Sequence, residues 1–300
     1  MHKIFDFASQ ENCEKTIQKT WAEFRQQLAD EKFLYSDVDC ALQSTFLRVF
    51  DDLFQHCHRF LEKRADEILD MNTGVVRAAR IKPGAPAPVY DRFIPKAEFI
   101  TEDNRFSPPG VEWLYLAFAT QTSLPGLRPE EKCALMECRA TSGEKFALCD
   151  FQLEEKYKDR ILIDLTIAKE SKFEDINYEL EQQGQEISQR EISKGIISGM
   201  TRGIVLKPQI NDIIPALEKW TVYTYAKLLA EQIFLPITTE NKSLMYAPFQ
   251  CVAQYFLSKG YCGIVYSSTV FPSGKNVVLF DKLAAYPYGA IRSIIIPDNL

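Results

Sequence analysis

The sequence predicts an α+β fold: a small N-terminal helical unit followed by a mixed β core with flanking helices. Three observations predict it. Helical periodicity of apolar residues runs through residues 11 to about 70. Short apolar runs of strand length concentrate after residue 110. Between them lies "MNTGVVRAARIKPGAPAPVYDRFIP", where four prolines and two glycines favour extended or looped chain. The 300 residues are 46% hydrophobic and 25% charged, which is enough apolar material for a sizeable core and argues against disorder.

The elements follow in order. "CEKTIQKTWAEFRQQLADEKF" reads as an amphipathic helix. "STFLRVFDDLFQHCHRFLEKR" carries Phe46, Val49, Phe50, Leu53, Phe54, Cys57, Phe60 and Leu61 on one stripe, with Ser44 as its start residue. A boundary near residue 72 divides a helical domain, 1–72, from a second domain, 73–300. "WLYLAFA" reads as a buried strand. "RPEEKCALMECRA" reads as a helix, with Pro129 at its first position and acids in its first turn. "KFALCDFQL" and "RILIDLTI" are two more strands. Residues 169–190 read as a solvated loop or exposed helix. A helix is expected over 212–235, with Asn211 and Asp212 as cap candidates. "YAPFQCVAQYFLSKG" is a helix closed by Gly260. "CGIVYSS", "NVVLFD" and "AIRSIIIP" complete the strands.

Composition narrows the function classes. A net charge of −6 and a pI near 5.3 argue against a dedicated nucleic-acid partner. No apolar run reaches the length of a membrane span, and "MHKIFDFASQENC" has no apolar signal-peptide core, so the expected location is cytoplasmic, without a membrane partner. The eight cysteines form no C-x-x-C pair and read as reduced thiols. "HCH" (His56, Cys57, His58) is the only metal-like cluster. Consecutive helical residues point apart, so no metal site is expected. Phosphate-binding loops, dinucleotide glycine motifs, H-E-x-x-H and G-x-S-x-G are all missing.

Three stretches can carry chemistry, and each has a plainer reading beside it. Arg105, in "EDNRFSPPGVEWLYLAFA", is either a phosphate clamp at a strand entrance or an exposed turn residue. Glu137, in "CALMECRA", is either a half-buried carboxylate that steadies positive charge or a solvent-edge salt-bridge partner. Ser267, Ser268 and Asn276 flank one turn in "YCGIVYSSTVFPSGKNVVLFD", either as turn formers or as a polar wall. Side chains alternate along a strand, so one serine at most faces a given side.

Together these blocks resemble the RES-domain family, named for Arg, Glu and Ser and known for bacterial toxins. The matching pieces are "NRFSPPGVEWLYLA", "ALMECRA", "QCVAQYFLSKGYCGIVYSS" and "SGKNVVLF", over residues 74–300. Asn104 and Ser107 depart from the Gly and Asn usual beside the family Arg. "VVRAARI" is similar to the family's opening strand, with Arg77 and Arg80 both candidates for its arginine. The resemblance implies an ADP-ribosyltransferase-like fold that takes NAD⁺ as substrate, needs no metal and cleaves the nicotinamide–ribose bond. It implies Glu137, Arg105 and Ser268 as the catalytic set. Arg77 or Arg80 would meet the pyrophosphate, Tyr115 and Tyr266 would form a wall, and Asn276 would orient the serine loop or the carboxylate, with Ser267 beside them. Such toxins also imply an antitoxin or inhibitor partner.

Two other classes compete with an NAD⁺-degrading enzyme. One keeps the fold and transfers ADP-ribose to a protein or nucleic acid. The other places function in the N-terminal helices, as an oligomerisation surface or a helical HEPN-type RNase. Arg48 stands eight positions before His56, one step too far for that R-x4–6-H motif.

Overall fold

The computed structural model describes residues 10–70, 74–119, 126–167, 182, 210–233 and 242–298. The expected boundary at residue 72 lies outside them, as does the stretch 169–190 apart from residue 182. The fold is α+β: one eight-stranded mixed sheet flanked by helices. No helix among the described residues is long and apolar enough to cross a membrane.

The chain opens with α1 (Gln10–Ala29), α2 (Val38–Ala41) and α3 (Thr45–Cys57). Ser44 caps α3 as its composition predicts: its hydroxyl accepts the Leu47 N–H at 3.2 Å. The α3 stripe is buried from Phe46 to Cys57. The predicted helix runs on to residue 64, but α3 stops at Cys57. Leu61 is fully buried, and its carbonyl accepts the Asp164 N–H at 2.7 Å. The next residues become β1 (Glu62–Arg64), paired with β5 (Ile161–Asp164). Tertiary pairing overrides local helical preference there. α4 (Ala65–Ile68) follows.

The remaining strands are β2 (Gly74–Arg80), β3 (Leu114–Ala119), β4 (Lys145–Leu153), β6 (Gly263–Ser267), β7 (Gly274–Leu279) and β8 (Ala285–Ile295). Their order across the sheet is β1-β5-β6-β7-β3-β2-β4-β8. Among the described strands only β5 and β6 are parallel. Helices described after β3 include α5 (Pro129–Glu137), α6 (Ile210–Ile233) and α7 (Lys242–Ser258). α6 begins at Ile210, so Asn211 and Asp212 lie inside the helix rather than capping it. Gly260 closes α7 with a φ of +89°, the left-handed geometry that suits glycine.

Cross-strand partners point to the same face, so the registers sort the core. Ile163, Ile264, Tyr266 and Val278 share one face with Ala117, Val76, Leu148 and Phe146. The first four pack into a large cluster with α1, α3, α6 and α7, around Trp21, Phe46, Phe50, Tyr225 and Phe256. The last four pack under α5, with Cys133, Ala134 and Leu135. The opposite face carries Leu116, Phe118, Val265, Val277 and Phe151, covered by Phe93, Ala65 and Ala284. Two helical blocks thus sit side by side on one face. The α3 stripe is covered by the chain's own α6 and α7, so that face needs no second chain to bury it. Residues on both sides of position 72 contribute to one sheet.

Candidate active site

A partial strand pairing makes the cavity. β2 and β3 are bonded only at Gly74–Val76 against Ala117–Ala119. Beyond that point β2 stays paired with β4, and β3 with β7. The two strands part between the α5 block and the large helical cluster. Val76, Arg77 and Ala78 on one side, and Tyr115, Leu116 and Ala117 on the other, line a cavity of about 390 Å³. That is within the ordinary range for a small-molecule site.

Glu137 ends α5 at this cavity and is solvent-exposed there rather than half-buried. Its Oε1 accepts a hydrogen bond from Ser268 Oγ at 2.7 Å and another from Asn276 Nδ2 at 2.6 Å. Ser268 follows β6, and Asn276 lies in β7 opposite both Tyr266 and Ala117. Both bonds converge on one oxygen. Among the described residues no donor reaches Oε2, so that oxygen keeps its capacity for a ligand.

The serine pair separates cleanly. Ser267 is opposite Lys275 in the strand pair, while Ser268 is buried against Glu137. The Ser268 hydroxyl also accepts the N–H groups of Val270 at 3.2 Å and Phe271 at 3.0 Å. A hydroxyl offers one proton and two lone pairs, and all three are engaged. Ser268 therefore positions the carboxylate and its own loop.

α5 is held at both ends. Around its start, Arg128 meets Glu130 at 3.2 Å, Glu131 at 3.1 Å, and Asp150. Arg292 from β8 joins Glu131 and reaches Asp150 at 3.2 Å. Glu131 also accepts the Arg128 backbone N–H at 2.8 Å, closing the helix start. Farther along, Cys133 presses on β7 at Gly274, where an added Cβ would lie 2.5 Å from the Cys133 sulfur. Burial pushes the Cys133 thiol up to about 12, so it packs as a small apolar group.

The cavity is lined by three arginines, Arg77, Arg105 and Arg139, against the acids Asp103 and Glu137. The two candidates in "VVRAARI" separate here. Arg77 reaches the cavity, and its Nη1 donates to the Phe93 carbonyl at 2.8 Å. Desolvation, with a smaller push from Arg92, lowers its guanidinium to about 10, so it is still charged at neutral pH. Arg80 lies outside this cavity, against Glu144 at 3.3 Å and the Cys138 and Arg139 carbonyls. Arg105 stands in a turn closed by the Asn104 N–H to the Ser107 carbonyl at 2.8 Å. Ser107 is fully buried and bonds the Tyr115 hydroxyl at 2.9 Å.

Tyr115 and Tyr266 supply apolar wall. Tyr266 meets Phe106 edge-on at 5.1 Å between ring centres. Burial raises both phenols, so neither releases a proton near neutral pH. Three contributors were not singled out from sequence. Tyr246 of α7 lines the cavity. Gln250 is buried and donates to Asp103 Oδ1 at 2.9 Å and the Asn104 carbonyl at 3.2 Å, gripping the Arg105 turn. A glutamine inside the apolar run "APFQCVA" was the available signal. Arg139 exits α5 with a φ of +51°, a strained conformation for a non-glycine residue. Sequence gave no warning of that.

No family model matches the chain, and no curated protein matches it. Among solved structures, it is similar to the crystal structure of the M. tuberculosis MbcT–MbcA toxin–antitoxin complex. Identity is 11% and the TM-score 0.33, over 82% of this chain and 92% of that one.

Proposed function

We propose that this chain is an enzyme that binds NAD⁺ and cleaves its nicotinamide–ribose bond, acting as a toxin that depletes NAD⁺ and is held in check by a proteinaceous inhibitor. The observation that carries the reading is the Glu137 carboxylate. Ser268 and Asn276 fix it through one oxygen, at a cavity that also holds Arg77 and Arg105. The resemblance of these blocks to the RES-domain family supports the same reading.

The chemistry needs little more. As the bond from C1′ to the nicotinamide nitrogen breaks, its electron pair stays with the nitrogen. The pyridinium becomes a neutral leaving group, so no general acid is required. Positive charge grows on the ribose at C1′ and its ring oxygen. Glu137 Oε2 faces that charge, and two fixed hydrogen bonds on Oε1 hold the carboxylate without reorganisation. Arg77 and Arg105 neutralise the pyrophosphate. Water then adds to C1′ and loses its proton to solvent. Tyr115, Tyr246 and Tyr266 hold the flat ring.

The test is release of free nicotinamide from NAD⁺ by the purified full chain, with Glu137→Gln and Arg105→Ala beside it. Release by the parent and loss of about 10²-fold or more in Glu137→Gln is expected. Folded parent protein that releases none, with or without phosphate or protein acceptors, refutes the proposal. Label retained on a macromolecule would move the assignment to ADP-ribose transfer at the same site.

A further inference from the structure

A second cavity, of about 490 Å³, lies beyond Arg77. It shares Arg77, Pro95 and Ile100 with the first, and its other residues come from the end of β2, residues 81–99 and Ala147 of β4. Five basic side chains line it against one acid, Asp91. Two of the five are engaged: Lys96 with Asp91, and Arg80 with Glu144 at 3.3 Å. Arg77, Lys82 and Arg92 have no carboxylate partner among the described residues. Arg77 is aimed rather than free to swing, because its Nη1 is tied to the Phe93 carbonyl at 2.8 Å. Unpaired cations converging on one recess favour an anion there, and guanidinium groups favour a phosphate.

The remaining wall is apolar and stiff. Pro86, Pro88 and Pro95 fix their backbone torsions, and Val89 and Phe99 stand 64% and 68% exposed beside them. An inorganic anion would leave that wall and most of the volume unused. A flat ring would cover it, since an exposed Phe offers a stacking face.

We propose that this second cavity is a binding site for a phosphate monoester carrying a flat heterocycle, a nucleoside monophosphate in class, with Lys82 and Arg92 gripping the phosphate. The site adjoins the Glu137 cavity through Arg77, Pro95 and Ile100, and the proposal does not rest on NAD⁺ cleavage. Arg77, shared by both walls, would let occupancy of one be felt in the other.

Calorimetric titration of the full chain with AMP tests this, with adenosine and inorganic phosphate as comparison ligands. The pair Lys82→Ala/Arg92→Ala changes only exposed side chains, so folding should survive, and a matching circular dichroism spectrum checks it. AMP should bind at least about tenfold more tightly than either fragment, and the double variant should lose about tenfold or more. Glu137→Gln should leave AMP affinity unchanged. Three results overturn the proposal: no AMP binding tighter than about 1 mM; inorganic phosphate binding as well as AMP; or AMP affinity that falls in Glu137→Gln but not in the double variant, which would place AMP in the first cavity.

Discussion

Gly274→Ala offers a direct test of how α5 delivers Glu137. The added Cβ would lie 2.5 Å from the Cys133 sulfur, 2.8 Å from a Phe271 ring carbon and 3.0 Å from the Cys133 Cβ. Comfortable contact begins near 3.5 Å, so α5 must lift by about 0.5 Å to clear the Cys133 Cβ and by about 1 Å where the sulfur keeps its rotamer. The Phe271 ring can rotate away, but the Cys133 Cβ is fixed to the helix backbone. Overpacking of this kind costs about 1–3 kcal/mol. A helix moves as a rigid body, and Glu137 lies about 6 Å further along it than Cys133. A lift of about 1 Å stretches the bonds of 2.7 and 2.6 Å to the edge of hydrogen bonding or beyond. Misplacement on that scale costs about 10²-fold in rate. Urea unfolding gives the stability, and nicotinamide release gives the rate. Cys133→Ala removes the clashing sulfur and leaves the helix-fixed Cβ at 3.0 Å and the rotatable Phe271 ring carbon at 2.8 Å. The double variant should therefore recover at least about 1 kcal/mol beyond additivity. Gly274→Ala with an unchanged urea midpoint, or a strictly additive double variant, would refute the packing argument whatever the enzyme's activity.

Other outcomes follow from the same geometry. Ser268→Ala should cost about 1–3 kcal/mol in urea unfolding, because it strips Val270, Phe271 and Glu137 of a partner, whereas Ser267→Ala should cost under about 0.5; equal losses would contradict the assignment of the two hydroxyls. Gln250→Leu should speed limited proteolysis within residues 101–110, because the side chain holds Asp103 and Asn104; an unchanged cleavage rate would mean the turn is self-supporting. Burial alone would raise the Asp51 carboxyl, but bonds from Lys259 and Tyr255 outweigh it and hold the group below its usual value. Its stabilisation is thus complete above the unfolded pKa of about 3.9 and is lost as pH falls through the lower folded value. Asp51→Asn should flatten the acid limb of thermal stability; a parallel limb in both proteins would show the pair contributes nothing.

Much of the fold can be read from local chemistry. The α3 stripe, its Ser44 cap, Pro129 at the start of α5 and Gly260 behind α7 all follow from spacing and backbone preference. "KFALCDFQL" coincides with β4 because strand-length apolar runs bounded by turn residues leave little choice. Where the reading stayed open or failed, the cause is shared. Residues 62–64 look helical, yet β5 takes them as an edge strand. Residues 74–80, extended or looped by composition beside their prolines, become a strand through pairing with both β3 and β4. In each case a distant partner decided the conformation.

The site divides along the same line. Sequence by itself determined which residue types were present and that Ser267 and Ser268 must face apart, since strand alternation is a local rule. Only tertiary structure decided that Ser268 spends every valence on Glu137 and its own loop, that Arg77 rather than Arg80 enters the cavity, and that Gln250 steadies Arg105. Those outcomes depend on contacts between residues more than a hundred positions apart, and on where β2 leaves β3. No local preference encodes either.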